Sequence, residues 1–102
     1  MNMNQLMQQA QQFQKKMAQM QEELAGRTAS SSVGGGMVQA TVNGRHELVR
    51  LTIEKDVIDP NDPAMLQDLI VAAVNDAMKK AEAMIQAEMG KLTGGMKIPG
   101  LF

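Results

Sequence analysis

Met3, Leu6, Ala10, Phe13, Met17, Met20 and Leu24 fall on an unbroken heptad grid, separated mostly by Gln, Asn, Lys and Glu. A helix patterned this way carries one narrow apolar seam, and such a seam is stable only against a second helix. That helix lies either in the same chain or in another copy of it. The seam alone leaves the two open, yet the choice decides which surface the protein offers. The helix is expected from about Asn4 to Leu24, closed by Gly26 as a C′ residue. At about 1.5 Å per residue it is about 30 Å long.

Beyond Arg27 the apolar period changes from helical to alternating. The stretch Arg27 to Val33 reads as a weak strand, and Gly34-Gly35-Gly36 as a turn. Met37 to Val42 reads as a second strand, with Val38, Ala40 and Val42 on one face. Asn43-Gly44 is the strongest short hairpin signal, because a type I′ turn needs positive φ at both central residues. In the third strand the alternation places Val49, Leu51 and Ile53 with the apolar face and Leu48, Arg50 and Thr52 on the other. Asp62 then stands as an N-cap before Pro63 at N1. A second helix is expected from Pro63 to about Met89, ended by Gly90, with an apolar stripe that includes Leu66, Ala73, Ala77, Ala81 and Ile85. The expected fold is α+β: a three-stranded antiparallel meander between two long helices, in the order α-β-β-β-α. Residues 1–89 form one domain and 90–102 a flexible Gly-rich tail. Helix one, one face of the sheet and the far half of helix two all need cover. A single chain of 102 residues hides all three with difficulty, whereas a homodimer does so readily.

The chain has no Cys, so disulfides, thiolate metal sites and a Cys nucleophile are excluded. No apolar run is long enough for a membrane span and the N-terminal stretch is polar, so neither insertion nor export is indicated. Aromatics are limited to Phe13 and Phe102, which argues against reading single strands by base stacking. The eleven Met suit adaptable helix–helix contacts. The net charge of −1 hides an asymmetry: residues 59–89 hold Asp59, Asp62, Asp68, Asp76, Glu82 and Glu88 against Lys79 and Lys80 only. The remaining cations lie outside that stretch, so a polyanion is met by a local patch.

Catalysis finds no credible residues. His46 beside Glu47 is half a metal site with no second imidazole or thiol, and reads as a solvated turn residue. Gly34-Gly35-Gly36 leads into a strand and lacks the Lys of a phosphate loop. Ser30, Ser31 and Ser32 have no base or orienting acid, and the cluster Asp56, Asp59 and Asp62, beside Pro at a helix entry, reads as capping rather than as cation ligands. No metal, cofactor or small-molecule substrate is expected. The candidate contacts with a polyanion are Lys15, Lys16, Arg27, Arg45, Arg50 and Lys91, doubled in a dimer. On charge alone they read rather as scattered solubilising cations.

The whole chain resembles the YbaB/EbfC family of bacterial nucleoid-associated proteins. The likeness is carried by the opening Met1 to Gln11, by Gly36-Met-Val-Gln-Ala-Thr-Val-Asn-Gly44, by the run Ile58 to Ala77, and by the ending Pro99-Gly-Leu-Phe102. The resemblance implies a small cytoplasmic, tweezer-shaped homodimer of α-β-β-β-α fold. It also implies binding to duplex DNA, association with the nucleoid, and a role in nucleoid organisation and gene regulation. It does not fix the contact residues. The alternative is a protein-interaction module that engages a partner through the Met/Gln-rich helix or the Gly-rich tail, with incidental DNA affinity.

Overall fold

The computed structural model describes residues 2–92. Helix α1 spans Met3–Ala25, strands β1, β2 and β3 span Thr28–Val33, Val38–Asn43 and Leu48–Ile53, and helix α2 spans Pro63–Leu92, after a single 3-10 turn at Lys55–Val57. The strands form one antiparallel sheet in the order β1-β2-β3, so the expected α+β order holds. The molecule is elongated, about 70 × 21 × 17 Å.

Helix α1 starts where Asn2 accepts a hydrogen bond from the Gln5 N–H at 2.8 Å, satisfying one of the free amides of the first turn. Gly26 ends it in the right-handed region, at φ −89°, rather than in the left-handed conformation expected of a C′ glycine; its N–H bonds back to the Glu23 carbonyl, and the Arg27 N–H to the Leu24 carbonyl. Asp62 accepts from the Met65 N–H at 3.3 Å, the N-cap expected before Pro63. Helix α2 does not stop at Gly90 but continues through it to Leu92. Glycine costs a helix interior about 1 kcal/mol relative to alanine, too little to end a helix of 30 residues. Of the tail read as 90–102, the first three residues are therefore helical, and 93–102 lie outside the described residues.

The β2–β3 connection is not the type I′ turn that Asn43-Gly44 signals. Among the described residues other than glycine only His46 has positive φ, at 62°, and Gly44 is not among the positive-φ glycines. The Asn43 N–H bonds to the Glu47 carbonyl and the His46 N–H to the Asn43 carbonyl, which makes a three-residue loop with its last residue left-handed. The Asn43 carboxamide oxygen accepts from the Arg45 and Glu47 amides and holds the loop shut. This loop sets Val42 opposite Leu48, whereas Thr41 faces Arg50 and Ala40 faces Leu51. One residue is extra, and it is Val49. Without the bulge, Leu51 and Ile53 would point away from the core; with it they rejoin Ala40 and Val38, and Val49 moves to the polar face. The expected face of Val49, Leu51 and Ile53 is thus corrected to Leu48, Leu51 and Ile53. Val49 instead borders a shallow cleft with Thr28, Ser30, Gln39, Thr41, Arg50 and Thr52.

Gly44 is required for close approach. Its N–H donates to the carbonyls of Leu24 and Arg27, pinning the hairpin to the end of α1. A Cβ there would run into the Leu24 carbonyl.

The core lies between α2 and the first two strands. Ala73, Ala77 and Ala81, one turn apart on α2, are fully buried together with Val38, Ala40 and Val42 of β2. Their small side chains let the helix lie close to the sheet. Ser31 of β1, buried in the same layer, donates its hydroxyl to the Asp76 carboxylate of α2. Helix α2 packs on β1 and β2 alike. The inner face of β3 is covered only in part: Ile53 packs against the core, whereas Leu48 and Leu51 are 43% and 38% exposed. The cover expected of helix two is therefore partial.

The heptad seam divides. Met20 and Leu24 are buried and Met17 is half-buried, while Met3, Leu6, Ala10 and Phe13 are exposed. The last two turns of α1 face Ile85 and Met89 of α2 and Gly44 of the hairpin across a common cleft. The rest projects as a free arm.

Replacing Gly44 by Ala should destabilise the protein by about 1–3 kcal/mol, because backbone must move to admit the methyl group. Chemical denaturation would show this as a lower midpoint with an unchanged slope, whereas an unchanged midpoint would contradict the close approach.

Candidate nucleic-acid interface

The candidate cations occupy three places. Lys15 and Lys16 lie on the arm of α1, where Lys15 borders a shallow groove with Gln8, Gln11 and Gln12. Arg27, Arg45 and Lys91 gather at the root of the arm, where α1, the β2–β3 loop and the end of α2 converge. Arg50 stands apart on the polar face of the sheet, in the cleft floored by Thr41, Gln39 and Ser30; there the Ser30 and Thr41 hydroxyls share a hydrogen bond at 2.8 Å.

At the root the charges are already engaged. Arg27 Nη1 lies 2.5 Å from Glu88 Oε1, and Lys91 Nζ lies 3.2 Å from the same oxygen. Glu88 is largely covered, with 18% of its side chain exposed, while Arg27 and Lys91 are open to solvent. The hydrogen bond from Arg27, and after it that from Lys91, holds the Glu88 carboxyl below its ordinary value despite partial desolvation. One carboxylate thus gathers two cations at one place and lowers the local positive field. A phosphate arriving there competes with Glu88. Arg45 has no such partner among the described side-chain contacts; it lines the cleft of Met20, Gln21 and Leu24.

His46 does not solvate freely as the sequence suggests. Its left-handed backbone turns the ring toward α2, where Nε2 lies 2.5 Å from Glu82 Oε2. The hydrogen bond from His46 lowers the Glu82 carboxyl from its ordinary value; desolvation opposes this, and Gln86 adds a smaller lowering. The half metal site with Glu47 is not formed, since Glu47 instead accepts from the Asn43 side chain. Among the described residues, no cluster of His, Asp or Glu has the composition of a metal site. Asp59 and Asp62 accept from the Asn61 and Met65 amides, as caps do.

The acidic residues of α2 are what a reading by sequence segment misses. Asp76, Glu82 and Glu88 each meet β1, the hairpin or Arg27. The Glu88–Lys91 pair is visible as helical neighbours, but the Arg27–Glu88 pair joins positions 61 residues apart and has no local signal.

The family model of the YbaB/EbfC DNA-binding family matches residues 1–96. A protein of Pelotomaculum thermopropionicum named nucleoid-associated protein is 54% identical over 101 residues, spanning 99% of this chain and 96% of that protein. A protein of the same name from Clostridium acetobutylicum is 53% identical over 100 residues, spanning 98% and 89% of the two. A crystal structure of an uncharacterized Helicobacter pylori protein superposes with a TM-score of 0.82 at 29% identity, covering 92% of this chain and 99% of that one.

A carboxylate held below its unfolded value stabilises the fold above that value, and the contribution fades as pH falls through the lowered one. His46→Ala should therefore raise the titration midpoint of Glu82, followed at its carboxyl carbon by NMR. An unchanged midpoint would mean that the His46 contact is absent in solution.

Proposed function

The chain belongs to the YbaB/EbfC DNA-binding family, and on that premise we propose that it acts as a homodimeric, nucleoid-associated protein that holds duplex DNA through basic residues presented in symmetric pairs. The observation that carries the reading is the family match across residues 1–96. The geometry supplies a compatible surface. Lys15 and Lys16 lie along the arm and Arg27, Arg45 and Lys91 at its root, and in the proposed dimer a two-fold axis repeats them. Phosphate contacts of this kind supply affinity without sequence information. Arg50, amid the hydroxyls and amides of the outer sheet face, is a separate contact able to reach groove or backbone. The acidic flank of α2 repels DNA and so favours one orientation of docking.

The dimer reading rests on the partly uncovered inner face of β3. Asp76 and Lys80 of α2 reach β1 through Ser31 and Ser30, so the opposite flank of the helix, with Val74, Met78 and further round Val71, lies toward β3. Leu48, Leu51 and Val71 are exposed large apolar residues. Together with the free edge of β3 they form a surface that a second copy would cover. In this reading the protein resides on the nucleoid in the cytoplasm, organises DNA and influences the genes it covers. Among the described residues, no helix is long and apolar enough to cross a membrane.

Affinity for duplex DNA should fall linearly on a log–log plot against salt, with a slope of about −0.9 per neutralised phosphate. Lys15→Glu with Lys16→Glu should weaken binding and flatten the slope. Glu88→Gln should act in the opposite sense, because it releases Arg27 and Lys91 for phosphate: a few-fold tighter binding and a steeper slope. Binding that is undetectable at low ionic strength, or indifferent to salt, would refute the reading.

A further inference from the structure

Half of the heptad seam has no partner among the described residues, and its composition restricts what can cover it. Met20 and Leu24 are consumed by the fold, whereas Met3 and Leu6 are 72% and 54% exposed and Phe13 is 37% exposed. Residues 2–14 of the arm contain no charged side chain; the first is Lys15. An uncharged Gln- and Asn-rich helix offers little to a polyanion, and little to a partner selected by charge. It also offers no like-charge repulsion to a copy of itself.

The spacing is self-complementary. If two arms are laid antiparallel about a two-fold axis at the level of residue 8, Met3 of one faces Phe13 of the other, and Leu6 faces Ala10. The two remaining layers repeat these by symmetry. Each layer joins a larger side chain to one that leaves room for it, Leu against Ala and Phe against flexible Met. Met7, also exposed, flanks the seam where the two arms bring its copies together. The overlap uses the residues that the fold leaves free and stops before the half-buried Met17.

We propose that the free part of α1, residues 3–13, is a self-association surface that pairs antiparallel with the same helix of another dimer, so that DNA-bound dimers are joined to one another. The consequence for DNA rests on the dimeric DNA-binding reading above; the arm-to-arm contact does not. A contact of about a dozen residues a side is smaller than the ~20–30 of a standard stable interface. It is therefore weak between free particles and effective when several dimers sit on DNA and present their arms together. Joining dimers on two duplex segments would bridge those segments, and being uncharged the joint would not weaken with salt as the phosphate contacts do.

Sedimentation equilibrium of the full chain over a rising concentration series, at low and high salt, tests this. The expected result is a dimer that passes to tetramer and larger species at both salt levels. Leu6→Gln with Phe13→Gln, both at exposed positions, should keep the dimer and lose the larger species. Leu51→Arg, on β3, should break the dimer while the arms still associate. Failure of the dimer reading thus appears as indifference to Leu51→Arg, and failure of the arm contact as indifference to the Leu6 and Phe13 changes. The chain has no cysteine, so mixing Met3→Cys with Phe13→Cys reports the register: oxidation should link position 3 to position 13 between copies in preference to 3 with 3. The proposal is overturned if the wild type stops at dimer at every concentration, if the Leu6 and Phe13 changes yield monomers, if larger species appear only when residues 93–102 are deleted, or if 3-to-3 links dominate.

Discussion

The contact between the alanine stripe of α2 and the middle strand is the constraint on which the rest of the structure depends. Ala73, Ala77 and Ala81 sit on Val38, Ala40 and Val42 with none of the six exposed. Small residues let the helix lie close to the sheet, but they also make the covered strip narrow. A helix about 10 Å wide centred over β2 and leaning to β1 cannot reach across three strands spaced about 4.8 Å apart. The Ser31 hydroxyl on Asp76 and the Lys80 ammonium on the Ser30 carbonyl fix the lean toward β1. The open face of β3 follows from that lean, and so does the direction in which α2 leaves the sheet to meet the root of α1.

Much of this was legible in the sequence, and what was not has identifiable causes. The heptad grid, the alternation of Val38, Ala40 and Val42, and the Asp62-Pro63 cap are local signals, and each marks a feature that the structure contains. Asn43-Gly44 marked the hairpin but not its type, because Gly44 answers to the Leu24 carbonyl rather than to its own φ. Once the loop held three residues, strand parity required a bulge, and Val49 changed faces. No period-2 count detects that, since the bulged residue is apolar like its neighbours. Gly90 was overridden by the helix around it. The fate of the cations was the least readable part: Arg27 and Glu88 meet only through the packing of α2 along the sheet and against the root of α1.

Charge and apolar surface divide the work of the molecule. The acidic residues of α2 that give the chain its net charge of −1 also tie the helix to β1, the hairpin and Arg27. They position the basic residues at the root of the arm while restraining them. Glu88 in particular is the shared counter-anion of Arg27 and Lys91, and in the proposed reading it is the group that phosphate has to displace. The apolar residues left open are of two kinds. Those beside β3 belong to a broad face continuous with the core, suited to a permanent partner. Those on α1 form a thin, uncharged strip, suited to a contact that forms and breaks.

In the proposed dimer a second copy of the chain covers the face made by β3 and the adjoining flank of α2. The most direct measurement is an isotope-filtered NOE experiment on a mixture of labelled and unlabelled protein, observed at the methyl groups of Leu48 and Leu51. Contacts from these methyls to protons of the other copy, including those of Val71, Val74 or Met78, are the expected result. A well-folded protein in which the Leu48 and Leu51 methyls see only water and their own chain would contradict it.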